Sequence, residues 1–386
     1  MTSTSTSTST STASTSTNAG TRRVHVVVIG GGANSEHAVG LASAAGVAAA
    51  LDPARFRVSR LTIEHDGTWS SPDTGTALSF AAAAAAVAQA DVLFPAVHGP
   101  GGEDGTLAAL GALAGVRVVG SGVAAGAIAM DKWVTKLVAV AAGVSVAPGV
   151  LLERPATVPV PEVDPDAVGP LPWIVKPVTG GSSFGVSRVD TLADLEGALA
   201  EAFAHDDRVL VERLVVGREI DIAVLSTGRP DGEPGPVGNR PRTALQDGEP
   251  GPVGNRPRTA LDGEPDPASA PHGRIVGPPL EVLNDPDGFF DASTKYDGTA
   301  RFALPAPLDP DVAARLRTAA VTMADRLGCR GVVRVDCFVT PEGEVVLNEV
   351  NTMPGLTEHS QVPAMFASIG IEYPDLLAML VEGATR

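Results

Sequence analysis

The stretch Val175–Val189, VKPVTGGSSFGVSRV, places a loop rich in glycine and serine between two runs of extended character. Residues 181–185 fit the spacing G-x-S-x-G of a hydrolase nucleophile elbow, with Ser183 as the candidate nucleophile. An elbow needs a helix directly after the turn, whereas here the alternating run GVSRV follows, and a capping signal opens a helix only at Thr191. The pattern therefore predicts a loop between two strands and disfavours Ser183 as a nucleophile.

A phosphate-binding lid is the competing interpretation of the same loop. Backbone N–H groups of a glycine-rich turn form a concave site for anions, and Lys176 stands at the end of the strand just before the loop. The Lys176 ammonium can then meet the same phosphate as the loop amides. From these residues alone, an ordinary β-hairpin with a surface lysine remains the alternative.

A second chemical motif lies in RVDCFVTPEGEVVLNEVNTMPG, residues 334–355. Two predicted strands flank a Pro-Glu-Gly turn, so Asp336 lies across the hairpin from Glu349 and Asn351, which share one face. Two carboxylates and an amide oxygen suit Mg²⁺, and Arg334 on the same face can stabilise an oxyanion. A solvated hairpin face is the alternative, but the apolar neighbours indicate a sheet centre, where unpaired carboxylates are costly.

The chain of 386 residues is 44% hydrophobic, which is enough to build two or three cores. Residues 1–23 form a Ser/Thr repeat that we expect to be a disordered tail. Beyond it, β-runs alternate with Ala-rich helical segments, which predicts an α/β fold. We predict a doubly wound N-terminal unit over 24–122, a central unit over 123–205 and a third unit over 206–386.

The third unit contains an internal repeat: DGEPGPVGNRPRTALQ at 231–246 returns as DGEPGPVGNRPRTAL at 247–261. The repeat is rich in Pro and Gly and has no apolar face, so it cannot build the core of a repeat protein. We predict that residues 228–272 form a mobile insertion between two strands and take no part in catalysis.

Composition excludes several classes of protein. A formal net charge of −17 argues against a nucleic-acid partner, which clustered Lys and Arg would have to hold. The cysteines, Cys329 and Cys337, are too few for a disulfide framework and lack a metal-ligand spacing. Because the N-terminus has no apolar signal-peptide core and no apolar run is long enough to span a bilayer, we expect a cytoplasmic protein without a membrane partner.

Both chemical motifs belong to an ordered set that resembles the D-alanine:D-alanine ligases of the ATP-grasp superfamily. The resemblance covers nearly all of residues 24–386 outside the insertion, and the ordered set is far more specific than any single member. The matching segments are GGGANSEHAV, HGPGGEDGTL, AMDKWVTK, VKPVTGGSSFGVS, DASTKY, VRVD and LNEVNTMPGLTEHS.

The resemblance implies an ATP-grasp fold, in which a central lid subdomain and a C-terminal subdomain bind ATP next to the N-terminal α/β domain. It implies that one D-alanine attacks the γ-phosphate of ATP to give an acyl phosphate, and that the amine of a second D-alanine displaces phosphate, for peptidoglycan and cell-wall synthesis. Phosphoryl transfer between two anions needs a metal ion and cations around it. The implied cofactors are ATP and two Mg²⁺ ions, with Mn²⁺ as a substitute, and a homodimer is common in the family.

The resemblance also assigns roles to individual residues. Glu36 would hold the ammonium of the first D-alanine, and with Ser182 and Tyr296 it would link the N-terminal unit, the lid and an omega loop. Arg334 and the backbone N–H of Gly355 would form an oxyanion hole. The other assignments are the ATP phosphates for Lys132, Lys176, Lys295 and the loop at Ser183; adenine and ribose for Glu212 and Glu219; the substrates for His98, Ser360 and Gln361; and metal for Asp336, Glu349 and Asn351.

Gln361 departs from the family pattern, because D-alanine enzymes more often have an apolar residue there, and relatives that accept D-serine or D-lactate have Arg. The resemblance therefore leaves D-serine and D-lactate open as second substrates beside D-alanine. Tyr296 weighs against D-lactate, since those ligases typically carry His in a different omega loop. Gly40 also stands where Ser is common.

Other interpretations come from different classes of protein. Another ATP-grasp carboxylate–amine ligase is disfavoured by the segment EVNTMPGLTEHS, and a non-catalytic relative by the presence of every expected catalytic position. A dinucleotide-binding protein built on GGGANS matches weakly, because Ser35 replaces the last glycine of G-x-G-x-x-G. Taken singly, Glu36 suits any helix N-terminus, and Glu212 and Glu219 suit an ordinary strand edge.

Overall fold

Three β-sheets and the helices packed on them make up the part of the chain that the structure, a computed structural model, describes: residues 22–154, 163–226, 273–283 and 301–385. The predicted α/β class is confirmed. The predicted insertion at 228–272, almost all of the Ser/Thr tail, and Lys295 and Tyr296 lie outside the described residues. Among the described helices, none is long and apolar enough to cross a bilayer.

The first sheet has six strands and confirms the doubly wound N-terminal unit. Its strands are β1 Val24–Gly31, β2 Phe56–Ile63, β3 Trp69–Ser71, β4 Thr76–Leu78, β5 Val92–Pro95 and β6 Arg117–Val118. Their order across the sheet is β4-β3-β2-β1-β5-β6, with β2, β1, β5 and β6 parallel and an antiparallel hairpin at one edge. The helices of this unit are α1 His37–Ala50, α2 Phe80–Ala88 and α3 Thr106–Ala114.

Gly40 explains how α1 lies so close to β1. A Cβ added at Gly40 would come within 2.3 Å of the carbonyl oxygen of Gly31, so the helix backbone rests directly on the strand. The departure from the family pattern at this position therefore has a packing reason, because the contact has no room for a side chain.

The second sheet has four antiparallel strands and carries the glycine loop. Its strands are β8 Gly149–Glu153, β9 Trp173–Pro177, β10 Ser187–Val189 and β11 Arg208–Arg213, in the order β10-β9-β11-β8. Two helices, α6 Pro165–Val168 and α7 Leu195–His205, follow β8 and β10. The helix α7 buries Leu199 and Phe203 against Trp173 of the sheet. The capping box from Thr191 to Asp194 is present, as predicted, in the short 3₁₀ turn that precedes α7.

The third sheet has seven strands and holds the acidic hairpin. Its strands are β7 Ser145–Val146, β12 Arg218–Ser226, β13 Arg274–Val276, β14 Leu280–Leu283, β15 Arg301–Ala303, β16 Gly331–Val339 and β17 Val345–Asn351. The order is β15-β14-β12-β16-β17-β7, and β13 also pairs with β12. The helices around it are α4 Val123–Met130, α5 Lys132–Ala141, α8 Pro310–Arg326, α9 Gln361–Ala367 and α10 Tyr373–Thr385.

One apolar core joins the first and third sheets. The helix α10 places Leu376 and Leu380 in the same buried cluster as Val28 and Phe94 of the first sheet and Val332 of the third. The two sheets are thereby held together, whereas the second sheet has its own core around Trp173. Because the cleft between the second and third sheets has separately packed walls, it is the natural place for a ligand.

The domain bounds predicted from the sequence stay a prediction, and two strands pair across them. The strand β7, from the predicted central unit, pairs with β17 of the third sheet. The strand β11, from the predicted third unit, pairs with β8 and β9 of the second sheet.

Removing one copy of the internal repeat, residues 231–246, is expected to change the free energy of unfolding by only a few tenths of a kcal/mol, mainly through loop-closure entropy. The ends of the insertion are fixed by described residues, because Ser226 pairs with Arg274 in the β12–β13 ladder. The insertion also begins after Ser226, which is five residues, or about 17 Å, along β12 from Asp221, a residue near Arg334. Chemical denaturation of the shortened and full-length proteins measures the difference.

Arg274→Met, in the β12–β13 hairpin that flanks the insertion, is the variant whose loss of stability is compared with that of the repeat deletion. The Arg274 guanidinium is buried, donates to the Ser226 hydroxyl at 2.8 Å and lies 2.7 Å from the Asp325 carboxylate. Its removal should cost about 1–3 kcal/mol. If the repeat deletion costs as much as Arg274→Met, the repeat packs on the core and the prediction of a dispensable insertion is wrong.

Candidate active site

A cavity of about 240 Å³ lies between the second and third sheets. The loop after β9, residues 180–184, forms one wall, and residues 346–349 of β17 form the opposite wall. The loop joins β9 to β10 as predicted, so no helix follows Ser183 directly. Ser182 and Ser183 both have left-handed backbone conformations, with φ of 53° and 59°. The loop is a strained turn over a cleft rather than a nucleophile elbow.

Two of the predicted phosphate-binding lysines converge in this cavity. Lys132 Nζ donates to the carbonyl oxygen of Gly180 at 2.6 Å and lies 3.4 Å from Glu349 Oε2. Lys176 Nζ lies 2.5 Å from Glu212 Oε1 and donates to Asn348 Oδ1 at 3.2 Å. The two ammonium groups therefore connect the lid loop, the second sheet and the acidic hairpin around one space, where they suit a polyanion.

Glu212 is held by a further lysine that the sequence analysis did not single out. Lys136 Nζ lies 2.8 Å from Glu212 Oε2, and both side chains are buried. Burial alone would raise the pKa of Glu212, but the ammonium groups of Lys176 and Lys136 outweigh it and lower that pKa to about 2. The sequence signal for Lys136 was its i+4 spacing from Lys132, which places both lysines on one face of α5. Glu219 also lines the cavity.

The acidic hairpin brings the predicted residues across from each other, with a register shift between Asp336 and Cys337. Asp336 is paired with Glu349 across β16 and β17, and Arg334 is paired with Asn351. The Asn351 side-chain nitrogen donates to Asp336 Oδ2 at 2.9 Å, which leaves the amide oxygen as the remaining ligand atom. Asp336, Glu349 and Asn351 are thus brought together on the hairpin, and Glu349 lines the cavity.

The donor set fits Mg²⁺ that keeps part of its shell for a substrate. Among the described residues, no group of three or more Asp, Glu, His or Cys side chains forms a site that could enclose a metal ion. Asp336 and Glu349 instead supply two carboxylates, and Asn351 supplies an amide oxygen. Mg²⁺ in nucleotide sites is usually bound in this way, by one or two carboxylates plus substrate phosphates.

Arg334 is surrounded by acceptors. It binds Asp336 in a bidentate pair, with both N···O distances at 2.7 Å, and its Nε lies 3.5 Å from Asp221 Oδ2. Its Nη1 donates to Gln361 Oε1 at 3.0 Å. Burial would lower the pKa of Arg334, but Asp336 and Asp221 raise it well above the ordinary value, so the charge is permanent. The sequence analysis missed Asp221, which lies opposite Asp336 in the β12–β16 ladder.

Glu36 bridges the first sheet and the lid. The hydroxyl of Ser182 donates to Glu36 Oε1 at 2.6 Å, so the predicted contact between these residues is present. A Cβ added at Gly99 or Gly181 would come within 2.3 Å or 2.7 Å of Glu36 Oε2. Both loops need glycine here, because any side chain would displace the carboxylate. Tyr296, the third member of the predicted set, lies outside the described residues.

His98 lies behind this bridge and is buried. Its Nδ1 is 2.9 Å from the carbonyl oxygen of Met353, and its Nε2 is 2.8 Å from the Ser43 hydroxyl. A carbonyl can only accept, so Nδ1 carries the proton and Nε2 accepts from Ser43. Burial lowers the pKa of His98, which is therefore neutral near pH 7.

The predicted second-substrate residues surround the start of α9. Ser360 precedes the helix, and its hydroxyl lies 2.7 Å from the Thr357 hydroxyl. A Cβ at Gly355 would be 3.1 Å from Ser360 Oγ, so the Gly355 backbone lies against that hydroxyl. Gln361, the first residue of α9, reaches Arg334 and thereby connects this corner to the acidic hairpin. Lys295, like Tyr296, is outside the described residues.

Glu103 is a buried acid that the sequence analysis missed. Its Oε1 accepts from the backbone N–H of Gly99 at 3.0 Å. Burial, together with the negative charge of Glu36, raises the pKa of Glu103 from 4.5 to about 8. The folded protein therefore binds this proton more tightly than the unfolded chain, and the associated stability is lost as the pH rises between these two values.

Glu103→Gln is accordingly expected to gain stability relative to the native protein as the pH rises from 4.5 to about 8. Gln keeps the acceptor for Gly99 and never ionises. The thermal midpoint of the variant should exceed that of the native protein by a few degrees at pH 8, on the order of 2–4 °C, and by much less at pH 5. Thermal unfolding across this pH range measures the difference between the two midpoints. A difference that does not change with pH would contradict the assignment of a neutral Glu103.

Comparisons with family models and with known proteins indicate the same family. A family model described as D-ala D-ala ligase N-terminus matches residues 25–121, and one described as D-ala D-ala ligase C-terminus matches residues 139–237 and 272–382. A D-alanine–D-alanine ligase of Mycobacterium sp. (strain KMS) is 37% identical over 401 residues, covering 95% of this chain and 97% of that enzyme.

Solved structures share the architecture. The VanG D-Ala:D-Ser ligase of Enterococcus faecalis superimposes with a TM-score of 0.71 at 28% identity, covering 94% of this chain and 100% of that one. The D-alanine-D-alanine ligase of Coxiella burnetii superimposes with a TM-score of 0.70 at 27% identity, covering 94% of each chain. Both the sequence and the fold of these enzymes extend over nearly the whole of the present chain.

Proposed function

The chain belongs to the D-alanine:D-alanine ligase family, with the ATP-grasp fold, and on that premise we propose that it joins two D-alanine molecules to D-alanyl-D-alanine while ATP becomes ADP and phosphate. The product would serve peptidoglycan precursor synthesis. The observation that carries the proposal is the convergence of Lys132, Lys176 and Glu349 in one cleft under the loop that Ser182 ties to Glu36.

In the first step, a carboxylate oxygen of the first D-alanine attacks the γ-phosphorus of ATP, and ADP leaves. Lys132 and Lys176 lie where they can bind the phosphate oxygens, while the amides of the loop at Ser183 cover them. Lys295 is proposed to join them. Glu212, which contacts Lys176, and Glu219 also line the cavity and suit the amino group of adenine and the hydroxyls of ribose.

In the second step, the amine of the second D-alanine attacks the acyl carbon, and phosphate leaves as the amide forms. The negative charge that develops on the carbonyl oxygen needs a fixed donor, and Arg334 is held in place by Asp336 and Asp221. We assign the backbone N–H of Gly355 as the second donor. We assign Glu36 to the ammonium of the first D-alanine and His98, buried between Ser43 and the Met353 carbonyl, to the substrate region beside it.

Asp336, Glu349 and Asn351 would hold the metal, which we propose to be two Mg²⁺ ions, with Mn²⁺ as a substitute. When bound, the ions neutralise the phosphate oxygens during transfer. Glu349 also pairs with Lys132, so the metal-binding carboxylate and a phosphate-binding cation are fixed relative to each other.

A D-alanine:D-serine ligase is the second candidate. Two observations favour it: the polar side chain of Gln361 reaches Arg334, and one of the solved structures with the same architecture, at 28% identity, is the VanG D-Ala:D-Ser ligase. Ser360 is proposed to bind the carboxylate of the second substrate next to Gln361. D-Lactate remains the third acceptor to test.

Product analysis separates these candidates. The purified protein with ATP, Mg²⁺ and D-alanine should release one ADP and one phosphate for each D-alanyl-D-alanine. With equal concentrations of D-alanine, D-serine and D-lactate, D-alanyl-D-alanine should be the main product. Predominant D-alanyl-D-serine would instead establish the second candidate, and no product with any of the three would contradict a ligase of this class.

The same proposal includes a cytoplasmic location and a homodimer. Several large apolar side chains are strongly exposed on α3 and α5, among them Leu113 at 89% and Val140 at 61%. Apolar surface of this kind is typical of protein contacts. Light scattering of the purified protein measures the oligomeric state, and a monomer at micromolar concentration would contradict the dimer.

A further inference from the structure

Lys136 is a buried cation to which the reaction proposed above gives no role. It follows Lys132 by one turn of α5, and its side chain is only 5% exposed. Lysine is rarely buried to this extent, because removing an ammonium from water costs several kcal/mol unless a partner compensates. The partner here is Glu212, whose side chain is only 7% exposed.

Glu212 is shared between two lysines that differ in surroundings. Its Oε1 faces Lys176 at 2.5 Å, and its Oε2 faces Lys136 at 2.8 Å. Lys176 has a second partner in Asn348 of the cleft wall, 3.2 Å away, so it lies between Glu212 and the phosphate side. Among the described residues, Lys136 makes one ion pair, the contact with Glu212.

The two lysines therefore have different effects on the Glu212 carboxylate. When Lys176 also binds a phosphate with its remaining N–H group, its charge is shared between that anion and Glu212, which weakens the contact with Glu212. A buried carboxylate that lost its nearest cation would be strongly destabilised, and it would resist the release of Lys176. A second cation on the other oxygen removes that resistance and also keeps the carboxylate plane fixed toward the cavity.

We propose that Lys136 is a positioning residue for nucleotide binding: it acts as a second counter-ion of Glu212, orients that carboxylate for the amino group of adenine, and frees Lys176 to bind phosphate. This inference rests on the proposed function, since it takes Glu212 as the adenine-binding acceptor. Lys136 also lines the cavity, and the proposal assigns its effect to Glu212 and not to direct contact with the nucleotide.

A double-mutant cycle on the full-length protein tests this role, with calorimetric binding of the Mg²⁺ complex of AMP-PNP as the readout. Lys136→Met should weaken binding by about 10- to 100-fold, the worth of a charge-assisted contact. Lys136→Arg should recover most of that loss, and the KM for D-alanine should stay within about twofold in both variants, because binding of D-alanine does not involve Glu212. Thermal unfolding of each variant reports any loss of folded protein.

The double variant, which combines Glu212→Gln with Lys136→Met, decides the outcome even if Lys136→Met alone does not fold. In a Glu212→Gln background the carboxylate that Lys136 is proposed to hold no longer carries a charge, so adding Lys136→Met should leave the affinity unchanged within about twofold. If the double variant binds AMP-PNP at least tenfold more weakly than Glu212→Gln alone, Lys136 contacts the nucleotide directly and the proposal is wrong. Unchanged binding by a folded Lys136→Met variant would also overturn it.

The cycle is independent of the ligase reaction. AMP-PNP binding requires no dipeptide formation, so failure of the proposed function appears as absence of product from the native protein. Failure of the role of Lys136 appears as additive effects in the cycle. The two results are distinguishable in one set of proteins.

Discussion

Glu349→Gln is expected to lower the rate of dipeptide formation by at least about a thousandfold, the scale of losing several kcal/mol of charge stabilisation. The substitution removes one of the two carboxylates proposed to bind metal and breaks the ion pair with Lys132, 3.4 Å away. Shape and hydrogen-bonding capacity are nearly kept, so the effect reports charge. Phosphate release and dipeptide formation with saturating ATP and D-alanine are the measurements.

Glu344→Gln is the matched control for this prediction. Glu344 lies on the same hairpin, is exposed, and is separated from Glu349 along β17. Its removal should leave the rate within about twofold, as is usual for an exposed surface substitution. Comparable losses in the two variants would show that the hairpin, rather than the Glu349 carboxylate, is what the reaction needs.

Arg334→Met should lower kcat by roughly 100- to 1000-fold, the usual effect of removing one donor to a developing oxyanion. Arg334→Lys should rescue little, because an ammonium cannot reproduce the bidentate contact with Asp336 or keep the contact with Gln361. The KM for ATP should change far less than kcat, since the oxyanion forms only after ATP has reacted. Steady-state kinetics with each substrate varied in turn measure this division.

Stability must be measured beside activity for this variant. Arg334→Met leaves Asp336 and Asp221 buried without their cation, which costs about 3–5 kcal/mol when one partner of a buried pair is removed. Arg326→Met, an exposed change at the end of α8, is the control and should be neutral. A folded Arg334→Met protein with native kcat would contradict the role of Arg334.

Much of the site was predictable where local periodicity controls geometry. The turn position predicts that Asp336 lies near Glu349, and strand alternation puts Arg334 on the same face as Asp336. A register shift between Asp336 and Cys337, which the sequence does not signal, sets Asp336 directly opposite Glu349. The loop at Ser183 was predictable as a strand connection for the same reason, because GVSRV alternates and no helix signal appears before Thr191.

The missed residues depend on contacts between distant segments. Lys136 meets Glu212 across two separately folded elements, and Asp221 lies opposite Asp336 only because β12 and β16 become neighbours. Glu103 acquires its raised pKa from burial and from Glu36, 67 positions earlier in the chain. The contact from Gln361 to Arg334 likewise needs the interior of β16 and the start of α9 to converge. Sequence spacing contains no signal for such pairs.

The most direct test of the central claim is the transfer of ¹⁸O from D-alanine to phosphate. With D-alanine labelled in both carboxylate oxygens and unlabelled ATP, attack of that carboxylate on the γ-phosphorus and loss of phosphate from the acyl carbon leave one ¹⁸O in each phosphate released. We expect phosphate with one ¹⁸O for every D-alanyl-D-alanine formed, measured by mass spectrometry. Unlabelled phosphate, or label appearing in AMP, would contradict ligation through an acyl phosphate.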